Sequence, residues 1–155
     1  MLVGEQINYF KLFGFLVLRN LFSVEEVETM QDEFERGRRA TLKYDPDAGS
    51  SGLTQWSNLK PESPFIASLL EDRRFLDTAD QLLGGDAVAV YTNSNRRGGD
   101  TLWHPDTTDR HLLMIKNVMY LQRTTSEQGA LRLIPGSHQS PIGTSVEVVI
   151  LYSKN

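Results

Sequence analysis

"WHPDTTDRHLLMIKNVMYLQRTTSEQGALRLIPGSHQSP", Trp103 to Pro141, is the stretch that decides the fold. The run "LLMIKNVMYLQ", Leu112 to Gln122, is rich in strand-forming residues and ends in polar turn residues, so it predicts a strand. "GALRLIPG", Gly129 to Gly136, predicts another, closed by Pro-Gly. Ahead of both stands His104-Pro105-Asp106. A histidine and a carboxylate two residues apart at a strand end point to the same side. His104 Nε2 and an Asp106 oxygen then both reach a small divalent ion, and Pro105 stiffens the backbone between them. A hydrogen-bonded turn uses the same residues, and His-x-Asp alone does not separate the two readings.

Outward from this stretch the period changes. "AVAVYTN", Ala87 to Asn93, and "SVEVVILY", Ser145 to Tyr152, predict two more strands. The N-terminal half is mostly helical. A short helix spans Gly4 to Phe13, and the compact run "GFLVL", Gly14 to Leu18, reads as a strand. "SVEEVETMQDEFERGRR" opens on a capping box, Ser23 with Glu26, with Leu21 or Phe22 placed to staple against Val27. Val27, Met30 and Phe34 fall on one face. Acids open this helix and Arg36, Arg38 and Arg39 close it, as the macrodipole favours. "KYDPDAGSSG", Lys43 to Gly52, is a loop by composition, either a plain connection or a lid. Ser63-Pro64 starts another helix, with a break near Asp72 and a stop at Gly84-Gly85. Helices first and strands after predict an α+β fold with an antiparallel sheet, rather than alternating βαβ units.

The chain has 155 residues, which predicts a single domain, 1–155, with one core. A net charge of -4 argues against a nucleic-acid partner. No stretch approaches the ~18 apolar residues of a membrane span, and the N-terminus has no basic signal region. The absence of cysteine excludes disulfides, thiolate metal sites and cysteine nucleophiles, and fits a reducing, cytoplasmic setting.

A histidine and an aspartate joined by one further histidine make the facial set of non-haem Fe(II) oxygenases, with positions left open for a bidentate co-substrate and O2. The stretch from Trp103 to Pro141 resembles the phytanoyl-CoA dioxygenase family of Fe(II)/2-oxoglutarate-dependent oxygenases. Three elements carry the resemblance: His104-Pro105-Asp106, the strand Leu112 to Gln122, and Gly129-Ala130-Leu131-Arg132-Leu133-Ile134-Pro135-Gly136-Ser137-His138. "FKLFGFLVLRNLFSVEEVETMQ", Phe10 to Gln31, is similar to the family's opening: a helix, Gly-Phe-x-Val-Leu, then a Ser-capped helix.

The resemblance implies N-terminal helices packed on a double-stranded β-helix, or jelly roll. It implies Fe(II) held by His104 and Asp106. It also implies 2-oxoglutarate as the co-substrate, decarboxylated to succinate as an aliphatic C–H of a small organic substrate is hydroxylated. Related halogenases lack the carboxylate, so Asp106 points to hydroxylation. Val118 matches a position that contacts 2-oxoglutarate in the family. Lys116 and Tyr120 alternate onto its face and offer a cation and a hydroxyl, while Val90 or Thr92 lines the preceding strand. Trp103 either walls the pocket or packs in the core. The family's "PGSH" histidine, here His138, belongs to a turn, and His111 lies at a strand or loop edge.

The distal metal histidine and the arginine that follows it come later in the family, and no histidine follows His138. The expectation is therefore a jelly roll without its last strands, whose open edges a second copy covers as a homodimer. A catalytically inactive binding or interaction protein, with His104 and Asp106 as ordinary polar residues, is the alternative.

Overall fold

Ser23 and Glu26 start the longest helix where the capping box predicts. Ser23 Oγ accepts from the Glu26 N–H at 3.2 Å, and Glu26 Oε2 accepts from the Ser23 N–H at 2.8 Å. The structure, a computed structural model, describes residues 1–50, 52–98, 102–105, 113–139 and 148–153, the last of these as backbone. In chain order the elements are α1 (Gly4–Phe13), β1 (Phe15–Arg19), α2 (Val24–Tyr44), β2 (Leu53–Ser57), α3 (Pro64–Ser68), α4 (Arg73–Leu83), β3 (Asn93–Arg97), β4 (Ile115–Met119) and β5 (Val148–Ser153). Single 3-10 turns sit at Leu69–Glu71, Ser126–Gln128 and Ser137–Gln139. Among the described residues, no helix is long and apolar enough to cross a membrane.

The helical half follows its local signals. α1 ends on Gly14 in the left-handed conformation, φ 78°, where a side chain is strained. Pro64 takes the first position of α3, the break falls at Asp72, and Gly84 follows α4. α2, however, does not stop at its arginines. It continues through Lys43 to Tyr44, so the expected loop begins two residues later than its composition suggests.

The strands depart further from expectation. Residues 88–92 of the run "AVAVYTN" form no strand, and Val88 and Val90 are exposed. Strand pairing begins at Asn93, because β3 pairs antiparallel with β2 in the register Leu53↔Arg97 to Ser57↔Asn93. A strand forms where a partner backbone supplies hydrogen bonds, and composition only favours it. "GALRLIPG" is also not a strand. Gly129 and Gly136 both have positive φ, and Pro135 donates no ladder bond.

The second sheet corrects the antiparallel expectation. Its order is β1-β5-β4, and both pairings are parallel: Phe15↔Val149 to Arg19↔Ser153, and Ile115↔Val148 to Met119↔Tyr152. The central strand carries an unbroken apolar run, "VVIL", and β1 another, "FLVL", which is the signature of strands in a parallel sheet. The described residues thus form a mixed helix-and-sheet fold with two small sheets.

The chain divides into two compact units. The first holds Met1–Leu21, Asp77–Ala87 and the described residues beyond 101. Phe10, Leu16 and Ala79 are buried in it, and Tyr9 stacks with Phe13 and Phe15 at 4.5 and 5.6 Å between centroids. Gln81 Oε1 accepts from the Leu2 N–H at 2.8 Å, tying the N-terminus to α4.

The second unit holds Phe22–Leu76 and Val88–Asp100. Met30, Trp56, Ile66, Leu69 and Phe75 are its buried apolar residues. The buried stripe of α2 is Met30, Glu33 and Gly37, not the expected Val27, Met30 and Phe34. Two physical needs explain the shift. The first-turn amides of α3 require acceptors, and Glu33, only 2% exposed, accepts from the N–H groups of Phe65 and Ile66 at 2.9 and 2.8 Å. The carboxylate thus caps the positive end of α3 from a distant helix. Gly37 gives room to the Trp56 indole, which presses against its Cα where a Cβ would collide. Phe34 packs on the same ring at 4.8 Å.

Candidate metal centre

His104 lies on the irregular segment 102–105 and is exposed. Its Nδ1 sits 2.8 Å from the Leu102 carbonyl oxygen. A carbonyl only accepts, so Nδ1 carries the proton and the lone pair of the neutral ring is on Nε2. That is the tautomer a divalent cation takes, with the backbone fixing the far side of the ring. The imidazole therefore fits a metal-ligand role in its donor chemistry. Asp106 and His111 lie outside the described residues. Among the described residues, no group of three or more His, Asp or Glu side chains is placed to hold a metal ion.

Lys116 and Val118 sit on β4, opposite Val149 and Leu151 of β5, and share a strand face by the two-residue period. Both are half-buried. Tyr120 follows the strand, and its hydroxyl accepts from the Leu131 N–H at 2.7 Å. That oxygen anchors the loop 130–134 to the end of β4. Thr92 belongs to the second unit. Its hydroxyl accepts from Asn58 Nδ2 at 3.1 Å, and its carbonyl from the Asn58 N–H at 3.0 Å. Ser94 Oγ in turn donates to Asn58 Oδ1 at 2.9 Å, which satisfies an amide that is 1% exposed. The structure thus places Lys116 and Val118 on β4 and Tyr120 just past its end, and engages the Thr92 hydroxyl in a network joining β3 to the end of β2.

Trp103 is 59% exposed, so it is not a core residue, and the Arg132 guanidinium lies over its ring. His138 holds a turn. It lies in the 3-10 turn Ser137–Gln139, with Nε2 3.1 Å from the Lys11 carbonyl oxygen and its ring against Gly14. Nδ1 is buried without a partner among the described residues.

Electrostatics is strongest elsewhere. Arg74 forms ion pairs with Glu26 at 2.7 Å and Asp72 at 2.6 Å, and its guanidinium lies 4.6 Å from the Phe22 ring centroid. Hydrogen bonds from Arg74 hold both carboxyls below the usual carboxylate range, and the pair of acids pushes the guanidinium up. This triad belongs to the frame of the second unit. Sequence analysis did not single out Glu33 or Arg74. The signal for Glu33 is its place three residues after Met30 and four before Gly37 on one helix stripe.

The pattern described as Phytanoyl-CoA dioxygenase (PhyH) matches residues 10–150. Among curated proteins, the chain is similar to the ectoine dioxygenase of Bordetella parapertussis, 28% identical over 154 residues that cover 89% of this chain and 50% of that protein. It is likewise similar to the ectoine dioxygenase of Stutzerimonas stutzeri, 27% identical with 89% and 51% covered. The Streptomyces coelicolor ectoine dioxygenase is 26% identical with 84% and 49% covered. The chain spans about half the length of the curated relatives it matches. No solved structure matches significantly. With the family pattern running from Phe10 to Ile150, across the capped helix, the His-Pro-Asp segment and the Pro-Gly-Ser-His turn, the chain belongs to the phytanoyl-CoA dioxygenase family.

Proposed function

We propose that the chain carries the metal-binding part of an Fe(II)/2-oxoglutarate-dependent dioxygenase that hydroxylates a small organic substrate. The observation that carries this is the His104 tautomer, Nδ1–H bonded to the Leu102 carbonyl, within a His-Pro-Asp segment of this family. His104 and Asp106 are the protein's two ligands to Fe(II). When bound, the iron with its co-substrate supplies the oxidising power for C–H hydroxylation. The chain's own residues orient and bind: Leu102 fixes the imidazole, and Lys116, Val118 and Tyr120 line the face proposed for 2-oxoglutarate. In this arrangement the Tyr120 hydroxyl, already accepting from Leu131, still has its O–H to donate to a carboxylate.

The relatives named for ectoine support a small-molecule substrate class. A jelly roll, as the family resemblance implies, is the fold proposed for the complete site, with 1–155 as one domain of it. Among the described residues β1 and β4 are the outer strands of the sheet β1-β5-β4, and such edges favour a second copy as cover. Cysteine-free composition supports a cytoplasmic location, and the acidic net charge supports a partner other than nucleic acid. Anaerobic calorimetric titration with Fe(II) tests the reading. Heat of binding is expected from the parent chain and its loss from both His104→Ala and Asp106→Ala. Binding that survives both substitutions contradicts it.

A second reading is a non-catalytic binding protein of the same family, with His104 and Asp106 as ordinary polar residues; it is favoured by the exposed, irregular segment on which His104 lies. Succinate release with added Fe(II) and 2-oxoglutarate separates the two. Little or no release is expected from these 155 residues alone. Robust release above a His104→Ala control excludes the non-catalytic reading.

A further inference from the structure

The segment that bears His104 has no regular secondary structure, and its neighbours Leu102 and Trp103 are exposed. An imidazole on such a segment is a poor ligand unless something holds its backbone, because a loosely held donor loses affinity to motion. Among the described residues, a ring contact links the segment to the rest of its unit. The Arg132 Cζ lies 5.2 Å from the Trp103 ring centroid, inside the ~6 Å reach of a cation–π interaction. Arg132 is itself well placed to act as a tether. On one side of it, the Leu131 N–H donates to the Tyr120 hydroxyl at 2.7 Å, at the end of β4. On the other, the Gly136 N–H donates to the Phe13 carbonyl at 2.9 Å, at the end of α1. The loop is thus pinned at both ends, and the guanidinium projects from its middle onto the residue next to His104.

We propose that Arg132 is a positioning residue for His104: its guanidinium, stacked on Trp103, ties the ligand-bearing segment to a loop held by Tyr120 and Phe13. This rests on the reading of His104 as a metal ligand. Arg132 acts through Trp103 and touches neither metal nor substrate. Lysine keeps the cation but has no planar group to stack, and methionine keeps most of the stem without the charge.

The test uses Co(II) alone as the probe, titrated into the 155-residue chain by calorimetry. Arg132→Ala and Arg132→Met are expected to raise the Co(II) Kd about 2–5-fold, and Arg132→Lys less, as suits a partly exposed cation–π contact. The metal-free melting temperature is expected to stay unchanged, and the Trp103 indole N–H resonance is expected to shift in the metal-free Ala variant. The proposal is overturned if His104→Ala abolishes Co(II) binding while all three Arg132 variants bind as the parent does. A fall in the metal-free melting temperature with an unchanged Kd means a packing role only, and also overturns it. If His104→Ala leaves Co(II) affinity untouched, the metal reading fails first and the positioning role falls with it.

Discussion

The junction of α2 with α3 and the stretch from 102 to 139 are built on opposite principles. At and beside the junction, polar contacts close on themselves: Glu33 caps α3 with two hydrogen bonds, and Arg74 at the start of α4 joins Glu26 to Asp72. Among the described residues of the other stretch, 102–105 and 113–139, β4 is the one regular strand, and the others are irregular chain and single turns held by separate contacts such as Tyr120 with Leu131 and His138 with Lys11. The first region is organised for stability. The second displays side chains at its surface, with Leu102, Trp103, Leu131 and Ile134 all more than 40% exposed. The difference shows that the frame and the proposed site draw on separate residues, so substitutions should separate stability from binding.

The largest effect that would break this contrast is at Glu33. Glu33→Ala leaves two first-turn amides of α3 without acceptors, and is expected to cost about 2–4 kcal/mol in urea unfolding. A cost below ~1 kcal/mol would mean that the cap is replaceable. Gly37→Ala comes next. Its Cβ collides with the Trp56 indole, so a loss of about 1–3 kcal/mol is expected, with a change in Trp emission as the ring shifts.

Arg74→Ala sharpens the comparison through pH. Glu26 and Asp72 titrate lower in the folded chain than their usual range. Their contribution is therefore full above the unfolded carboxylate pKa and is lost as pH falls through the depressed folded values. Arg74→Ala should cost about 1–2 kcal/mol at pH 7 and progressively less below about pH 4. Urea midpoints measured across that range check it, and a constant penalty would place the effect in packing against Phe22 instead. The smallest effect is Ser23→Ala, which removes half of the capping box for about 1 kcal/mol.

The same contrast explains what was legible beforehand. Caps, prolines and paired glycines act within a few residues, so α1, the start of α2, the break at Asp72 and the stop at Gly84 could all be read locally. Strands need partners distant in sequence. The apolar run at Val88–Val90 remains unpaired, while the polar "NSNRR" forms β3 because β2 lies beside it. The buried Glu33 was hidden for the same reason, since its partners are amides 32 and 33 residues away. In the site, the His-x-Asp and Pro-Gly-Ser-His elements were legible as motifs. The tautomer of His104 and the stack of Arg132 on Trp103 were not, because both depend on backbone placement that no spacing encodes.

The central claim is that the imidazole of residue 104 and the carboxylate of residue 106 hold one divalent cation. The most direct measurement is the melting temperature of the chain with and without Fe(II) under anaerobic conditions, at metal concentrations well above the Kd. Binding to the folded state alone must stabilise it. A rise of a few degrees is expected, and it disappears in both His104→Ala and Asp106→Ala. An equal rise in the parent and both variants, or none in the parent at saturating metal, would contradict it.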